Sequence, residues 1–421
     1  MSVDSDGCQR PSAEVTNGEN INPCETVAGK LYSLLDEVDS ESIAEEFGIG
    51  KHSKKHDFDN HLKIGIFEGV KPSDSLAELS EKTATHEQLD YMAGSTFSRR
   101  TNDRDYRAVV RLFFELLHTP QLYHQRAVQR KRLEWLNRPI VALDATNLAL
   151  TRSVAVAGEL DEETVVHEIQ PTDGGLKLNL AARVDGDHSH PLGMTVTGGD
   201  TREPTQFEHL QSDVKVFADL DSLIQVFDRG YLDYDRFCAM KQRGEDFVTL
   251  LRSDAQVDVL EPLQDIDITD GAGTRSVSDQ RIELAETGEQ FRRIVFEDVD
   301  GEEMQYITTL PPSEFDPIEV ISIYTLRTVI EIFFRELKQY TNVENFHSQS
   351  LNGVLFELFC TLIGYVLVQW FRQRHPLRGG VPEAIRKIRG SYITQRNTLT
   401  TKQSRRPCSG APARFNVRTN P

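Results

Sequence analysis

Apolar residues recur along this chain with two different periods. Up to about Arg138 the spacing is helical, most clearly over residues 107–117, where Val109, Val110, Leu112, Phe113, Leu116 and Leu117 fall on one face. After Pro139 the period shortens to two. Residues 140–143 form an apolar run leading into Asp144, and Leu176, Leu178, Leu180, Ala182 and Val184 alternate with Lys177, Asn179, Ala181 and Arg183. A third strand is predicted at 191–196, then a helix at 204–217, a strand at 223–227, a helix at 234–242 and a strand at 247–251.

Three strands followed by helix, strand, helix and strand is the order of a ribonuclease H-like α/β domain. Residues 252–310 break it. They are acidic and loop-rich, with short strand patterns at 281–284, 291–296 and 304–309, and read as a β-rich insertion. One long helix is predicted from Asp316 to about Tyr340, and an apolar helix ends near Trp370. The expected domains are an acidic lead-in (1–29), a helical unit suited to DNA binding (30–138) and the first part of the catalytic core (139–251). The insertion (252–315), the rest of the core (316–375) and a basic tail (376–421) complete the chain.

Charge complicates a nucleic-acid reading. The net charge is −19, whereas phosphate binding calls for Lys and Arg. The 14 Lys against 33 Arg, with 66 acidic residues, match a chain adapted to salty cytoplasm, where carboxylate repulsion is screened. Residues 1–48 hold eleven acidic and two basic side chains, while 376–421 hold ten basic and one acidic. That tail fits either phosphate tracking or a solvated terminus. Residues 95–107 carry Arg99, Arg100, Arg104 and Arg107 between helical stretches, as a DNA-backbone contact or a solvated loop.

Five cysteines without a CxxC pair suggest neither a zinc ribbon nor a disulfide framework, and the first residues lack a signal-peptide pattern. Cytoplasm is the expected location. The apolar stretch 354–370 contains Glu357 and Gln369, and is expected to be a buried helix, not a membrane span. His52 and His56, four apart, lack a third ligand and read as part of a polar face with Lys51, Lys54 and Lys55. Gly198-Gly199-Asp200 and Gly174-Gly175 read as turns.

Three acids stand out. Asp144 and Asp228 each follow an apolar strand pattern, at the rigid positions that metal-ligating carboxylates require, although a lone acid there also serves as a cap or turn former. Glu331 lies in the predicted 316–340 helix. At about 100° per residue, Tyr324, Arg327, Glu331 and Lys338 share a stripe about 60° wide beside the apolar face of Leu326, Ile330, Phe333 and Leu337. Glu336 falls well away from that stripe. Taken alone, the helix also suits an exposed face with an Arg327–Glu331 ion pair worth ~0.3–0.5 kcal/mol.

Asp144 in LDATN, Asp228 in FDRGY and Tyr324-x2-Arg327-x3-Glu331-x6-Lys338 resemble the three acidic motifs of the insertion-sequence-four family of DDE transposases, whose third motif is called YREK. The resemblance covers about residues 58–370. It departs at Thr328, where many members carry Trp, which bears on local packing or substrate contacts. It implies that Asp144, Asp228 and Glu331 bind two Mg²⁺ or Mn²⁺ ions. One ion would activate the nucleophile, water and later a DNA 3′-hydroxyl, and the other would stabilise the leaving oxygen. It further implies that Tyr324, Arg327 and Lys338 grip DNA phosphate. The expected partners are the terminal inverted repeats and target duplex, with a homodimer joining two ends. The alternatives are a nuclease of the same fold that does not join strands, and an inactive or domesticated DNA-binding relic.

Overall fold

The computed structural model describes residues 32, 35–50, 58–86, 88–119, 136, 138–149, 166–167, 175–185, 188–270, 273–343, 345–348, 350–374, 381 and 383–388. His52 and His56 lie outside these. The α-helices among them are α1 (Ser40–Glu46), α2 (Phe58–Val70), α3 (Leu76–Thr85), α4 (Gly94–Asp103), α5 (Arg107–His118), α6 (Phe207–Lys215), α7 (Tyr234–Gln242), α8 (Pro317–Thr325), α9 (Thr328–Tyr340) and α10 (Leu351–Arg374). The strands are β1 (Ile140–Ala149), β2 (Val166–His167), β3 (Gly175–Asp185), β4 (His188–Gly198), β5 (Ile224–Phe227), β6 (Asp246–Leu250), β7 (Val257–Asp270), β8 (Gly273–Leu284), β9 (Gln290–Glu297) and β10 (Glu303–Thr308).

The ten strands form one sheet in the order β2-β4-β3-β1-β5-β6-β10-β9-β8-β7. β1, β3 and β4 are an antiparallel meander, while β5 and β6 run parallel to β1. Residues two apart on a strand share a face, and the two faces are covered by different helices. Ile140, Ala142 and Leu148 of β1 pack, with Leu176, Leu178 and Leu180 of β3, into a core that includes α2, α5, α9 and α10. Val141 and Leu143 face the other way, toward Phe207 and Leu210 of α6 and Phe237 of α7. This is the mixed α/β, ribonuclease H-like architecture that the strand and helix order implies, preceded by helices.

The preceding helices do not have a core of their own. α5 buries the predicted stripe from Ala108 to Leu117, and its cluster is continuous with α10. α2 crosses α10 so closely that a Cβ on Gly69 would come within 2.6 Å of the Thr361 Cα, which reserves that position for glycine. Asn352, at the start of α10, donates to the carbonyls of Thr101, Asn102 and Arg104 and accepts from the Tyr106 amide, capping the end of α4. The basic 95–107 segment is therefore mostly helix, not loop. Arg104 contacts His61 Nδ1 at 2.9 Å and Arg107 pairs with Asp105 at 2.6 Å, whereas Arg99 is exposed. The apolar α10 is long enough to cross a membrane, but 89% of its most apolar window is buried inside the protein. Its Glu357 accepts from the His347 and Ser348 amides.

Several elements differ from expectation, among them the helix expected over 204–217, which is a 3₁₀ turn, Glu203–Gln206, followed by α6. β1 continues through Ala149, because β3 pairs with it along its whole length. The insertion is larger and more regular than three short strands. β7, unrecognised in the sequence, pairs with β8 in a long hairpin, and β10 joins β9 to β6, so the insertion extends the core sheet. Most of β7 is solvent-exposed, and its apolar alternation is confined to two short stretches, Val257-Asp258-Val259 and Ile266-Asp267-Ile268, separated by the bulged segment around Pro262. Finally, the single helix expected over 316–340 is two helices, with Leu326 and Arg327 at the junction.

Candidate active site

β1 and β5 align Leu143 with Phe227, so Asp144 and Asp228 are the next residues where the two parallel strands part. Neighbouring strands lie ~4.8 Å apart, which brings these acids side by side. Asp144 shares the parity of Ala142 and Leu148 and so faces the helices α8 to α10, and only 9% of it is exposed. Asp228 follows β5 and caps a 3₁₀ turn, Arg229–Tyr231, where the Tyr231 amide donates to its carbonyl.

Opposite these strands stands α9. Arg327, at its N-cap, places Nη1 3.0 Å from Asp144 Oδ2 and Nη2 2.5 Å from Glu331 Oε1. One guanidinium thus joins the strand acid to the helix acid. Glu331 is the outer member, with 48% of its side chain exposed against 13% for Asp144. Glu336 is engaged elsewhere, accepting from the Tyr365 hydroxyl at 2.7 Å. Lys338, two turns along α9, donates to the Asn147 carbonyl at 2.5 Å and ties the helix to the outer part of β1.

Tyr324 does not share a helix with the other three. It belongs to α8, and the chain turns into α9 through i→i−3 bonds, Arg327 N to Tyr324 O and Ile330 N to Arg327 O, which wind more tightly than an α-helix. Its ring is 8% exposed and packs edge-on against Tyr306, with centroids 5.3 Å apart. The Arg327 guanidinium lies 5.8 Å from the ring centre. Tyr324 Oη and Arg327 Nε are both buried without a hydrogen-bond partner.

The electrostatics follow from that packing. Burial raises the Asp144 carboxyl to about 6, opposed by Arg327 and the Ala145 amide and reinforced by Asp228 and Glu331. Burial raises Tyr324, and Arg327 pulls it back. For Arg327 burial works the other way, but Asp144, Tyr324, Asp228 and Glu331 together hold its charge more firmly than usual.

A second set of residues, not singled out in the sequence, supports the Asp228 turn. Tyr231 is fully buried with an unpartnered hydroxyl, and its pKa is pushed well up by burial and then by Asp144, Glu203 and Asp228. Arg236 donates to the carbonyls of Tyr231 and Pro204 and stacks 4.5 Å over Phe207, stapling two turns together. Lys177 pairs with Glu203 at 2.9 Å beside them. Lys177 gave no sequence signal, because it reads as the polar alternate of a strand whose Leu176 and Leu178 face the core. Arg236 looks like any exposed helix residue.

Three carboxylates are a hard, all-oxygen donor set of the kind that suits Mg²⁺ or Mn²⁺, and Asp144 and Glu331 already share one cation, the guanidinium. As the side chains stand, no group of three His, Cys, Asp or Glu among the described residues is gathered tightly enough for one ion. The donors fit such an ion in kind.

The family profile described as Transposase DDE domain matches residues 135–367, more than half of the chain and all three acids. Among curated proteins, "Putative transposase y4zB" of Sinorhizobium fredii is 26% identical over 149 residues, covering 34% of this chain and 41% of that protein. "Probable transposase for insertion sequence element IS5377" of Geobacillus stearothermophilus is 24% identical over 197 residues, 47% of this chain and 49% of its own length. The chain thus spans about half or less of the relatives it matches. With the profile covering the sheet, the insertion and the α9 acid together, this chain belongs to the DDE transposase family.

Proposed function

We propose that the chain is the transposase of an insertion sequence in the insertion-sequence-four group, cutting element ends from DNA and joining them to a target. The observation that supports this most directly is the meeting of Asp144 and Asp228 where β1 and β5 part, with Arg327 joining Asp144 to Glu331. Asp144, Asp228 and Glu331 would hold two divalent cations, Mg²⁺ or Mn²⁺. Such ions supply Lewis acidity, activating the attacking hydroxyl and neutralising charge on the leaving oxygen.

The chain's own residues do the rest. Asp144, on a buried strand, and Asp228, on a stapled turn, are fixed, so positioning falls to rigid elements. Tyr324 Oη and Arg327 Nε, buried neighbours without partners, supply two donors that a phosphate oxygen would satisfy, with the guanidinium suited to bidentate contact. Lys338 adds a point charge on the same side of α9. We assign the helices of 30–138 to recognition of the terminal repeats, with Arg99 and Arg100 of α4 as backbone contacts and the basic 376–421 tail as an auxiliary one. A homodimer acting on two ends in the cytoplasm completes the reading, and the acid-rich, Lys-poor composition suits a salty cell interior such as that of haloarchaea.

A donor plasmid carrying the element's ends tests the reading. The wild-type chain excises and integrates them, and Asp228→Asn or Glu331→Gln abolishes both steps. Cleavage persisting in Glu331→Gln would remove that residue from the site. Cleavage without joining in the wild type would make the chain a nuclease, and neither step in the wild type would make it a relic.

A further inference from the structure

We infer that Arg327 is a displaceable internal counter-cation, whose guanidinium holds Asp144 and Glu331 together until a divalent cation takes the carboxylates and frees the guanidinium for a DNA phosphate. The inference rests on the metal reading above and adds a competition to it. Each terminal nitrogen of Arg327 is committed to a different carboxylate, at 3.0 Å to Asp144 and 2.5 Å to Glu331. The guanidinium therefore spans two of the acids, one from the strand and one from the helix, that would hold such an ion.

The pose is a holding position and not the best one available to the side chain. Nε is buried and unpartnered, and so is the adjacent Tyr324 hydroxyl. Buried donors without partners cost free energy that a better arrangement recovers. One positive charge is also set against three carboxylates, whereas a divalent ion has twice the charge and accepts oxygen donors from all of them.

The two ends of the bridge differ in exposure, which orders the exchange. The Glu331 end of the bridge is half exposed and only four residues along the helix, the kind of pair that is weak in water. It opens first, and the Asp144 end follows as the ion arrives. Arg327 lies at the α8–α9 junction, where the backbone is held by its own i→i−3 bonds, so the side chain can swing without unwinding either helix. Because coupling between two ligands is reciprocal, an ion that releases Arg327 strengthens the grip on phosphate, and bound phosphate in turn strengthens ion binding.

The test is Mn²⁺ binding to the full-length protein without DNA, followed by electron paramagnetic resonance of the free ion. Arg327→Gln removes the competing charge and keeps a polar side chain. It should tighten Mn²⁺ by about tenfold, about 1.4 kcal/mol. Equal or weaker binding would overturn the inference, since a residue that only positions the two carboxylates would lower affinity when removed. Asp144→Asn and Glu331→Gln are the separate check on the metal reading, because binding undiminished in both would sink that assignment whatever Arg327 does. A wild-type readout covers the case in which Arg327→Gln does not fold. Phenylglyoxal modification of Arg327, mapped by mass spectrometry, should become several-fold faster when Mg²⁺ is added without DNA, and an unchanged or slower rate would count against displacement.

Discussion

Between β4 and β6 the sheet is covered by helices on both faces, and its side chains vanish into two cores. At the far edge of the same sheet β7 is mostly exposed, whereas β8 buries Val277, Asp279, Ile282 and Leu284 and leaves its other residues partly or fully exposed. Phe227 on β5 illustrates the first region, 0% exposed, with the rings of Phe207, Phe247 and Phe237 5.3, 5.7 and 5.8 Å away. The second region relies on its hydrogen-bond ladder, on a few apolar side chains that reach the cores, among them Val277, Ile282 and Leu284, and on Arg292 on β9, bidentate to Asp279 on β8 and donating to the Leu310 carbonyl. Both acids on strands sit in the first region. Rigid positioning of Asp144 and Asp228 is a consequence of packing density, and the insertion, which extends that sheet, has no such demand on it.

Breaking the packed region has the largest expected effect. Phe227→Ala leaves an aromatic-sized cavity between α6, α7 and the sheet, and should cost about 3–5 kcal/mol in urea unfolding. A loss below about 1 kcal/mol would mean that this core closes over voids, and the contrast with the insertion would then collapse.

The insertion has one site where the comparison should nearly reverse. Asp279 is 1% and Arg292 6% exposed, so Asp279→Ala strands a buried charge and should cost about 3 kcal/mol. Pairing it with Arg292→Met should restore most of the loss, measured by the same unfolding midpoint. No recovery in the double variant would show that the charge pair itself, and not the stranded partner, carries the stability.

How much of this was legible follows the same division. β3, β4, β5 and β6 announced themselves because burial imposes alternation or apolar runs, and α7 matched its predicted limits because Asp233 caps it, accepting from the Arg236 amide. β7 was missed because its alternation, Val257-Asp258-Val259 and Ile266-Asp267-Ile268, is broken in the middle by bulges and by Pro262, as an edge strand tolerates. The break between α8 and α9 left no mark either, since neither Gly nor Pro accompanies it, and the wheel therefore placed Tyr324 on a stripe it does not occupy. Asp144, Asp228 and Glu331 were legible as types at positions. That Arg327 binds two of them was not, because the bridge depends on how α9 sits against β1.

A smaller effect sharpens the picture of the packed region through pH. Burial holds the Asp213 carboxyl at about 6 from its ordinary 3.8, opposed only by the Met194 amide. Below about pH 4 both folded and unfolded forms are protonated and the group contributes nothing. As pH rises from about 4 to 6 the unfolded chain has ionised while the folded one still holds its proton, so stability falls, and above 6 the full cost remains. Asp213→Asn keeps an acceptor for Met194 and should gain about 1–2 kcal/mol at pH 7 to 8, with the gain gone at pH 4. A gain independent of pH would place its origin in packing, against Gly193, and not in ionisation.

The smallest effect belongs to the outer strand. Val259 is 51% and Leu260 46% exposed on β7, so Val259→Thr removes little buried apolar surface and should change unfolding free energy by less than about 0.5 kcal/mol. The ladder to β8 is already interrupted by bulges at Val259/Glu261 and Pro262/Gln264, so this end of the hairpin has little pairing to lose. A cost above about 1 kcal/mol would mean that Val259 is covered by something other than solvent. The insertion would then have a packed face of its own, and β7 would have to be counted with the dense half of the sheet.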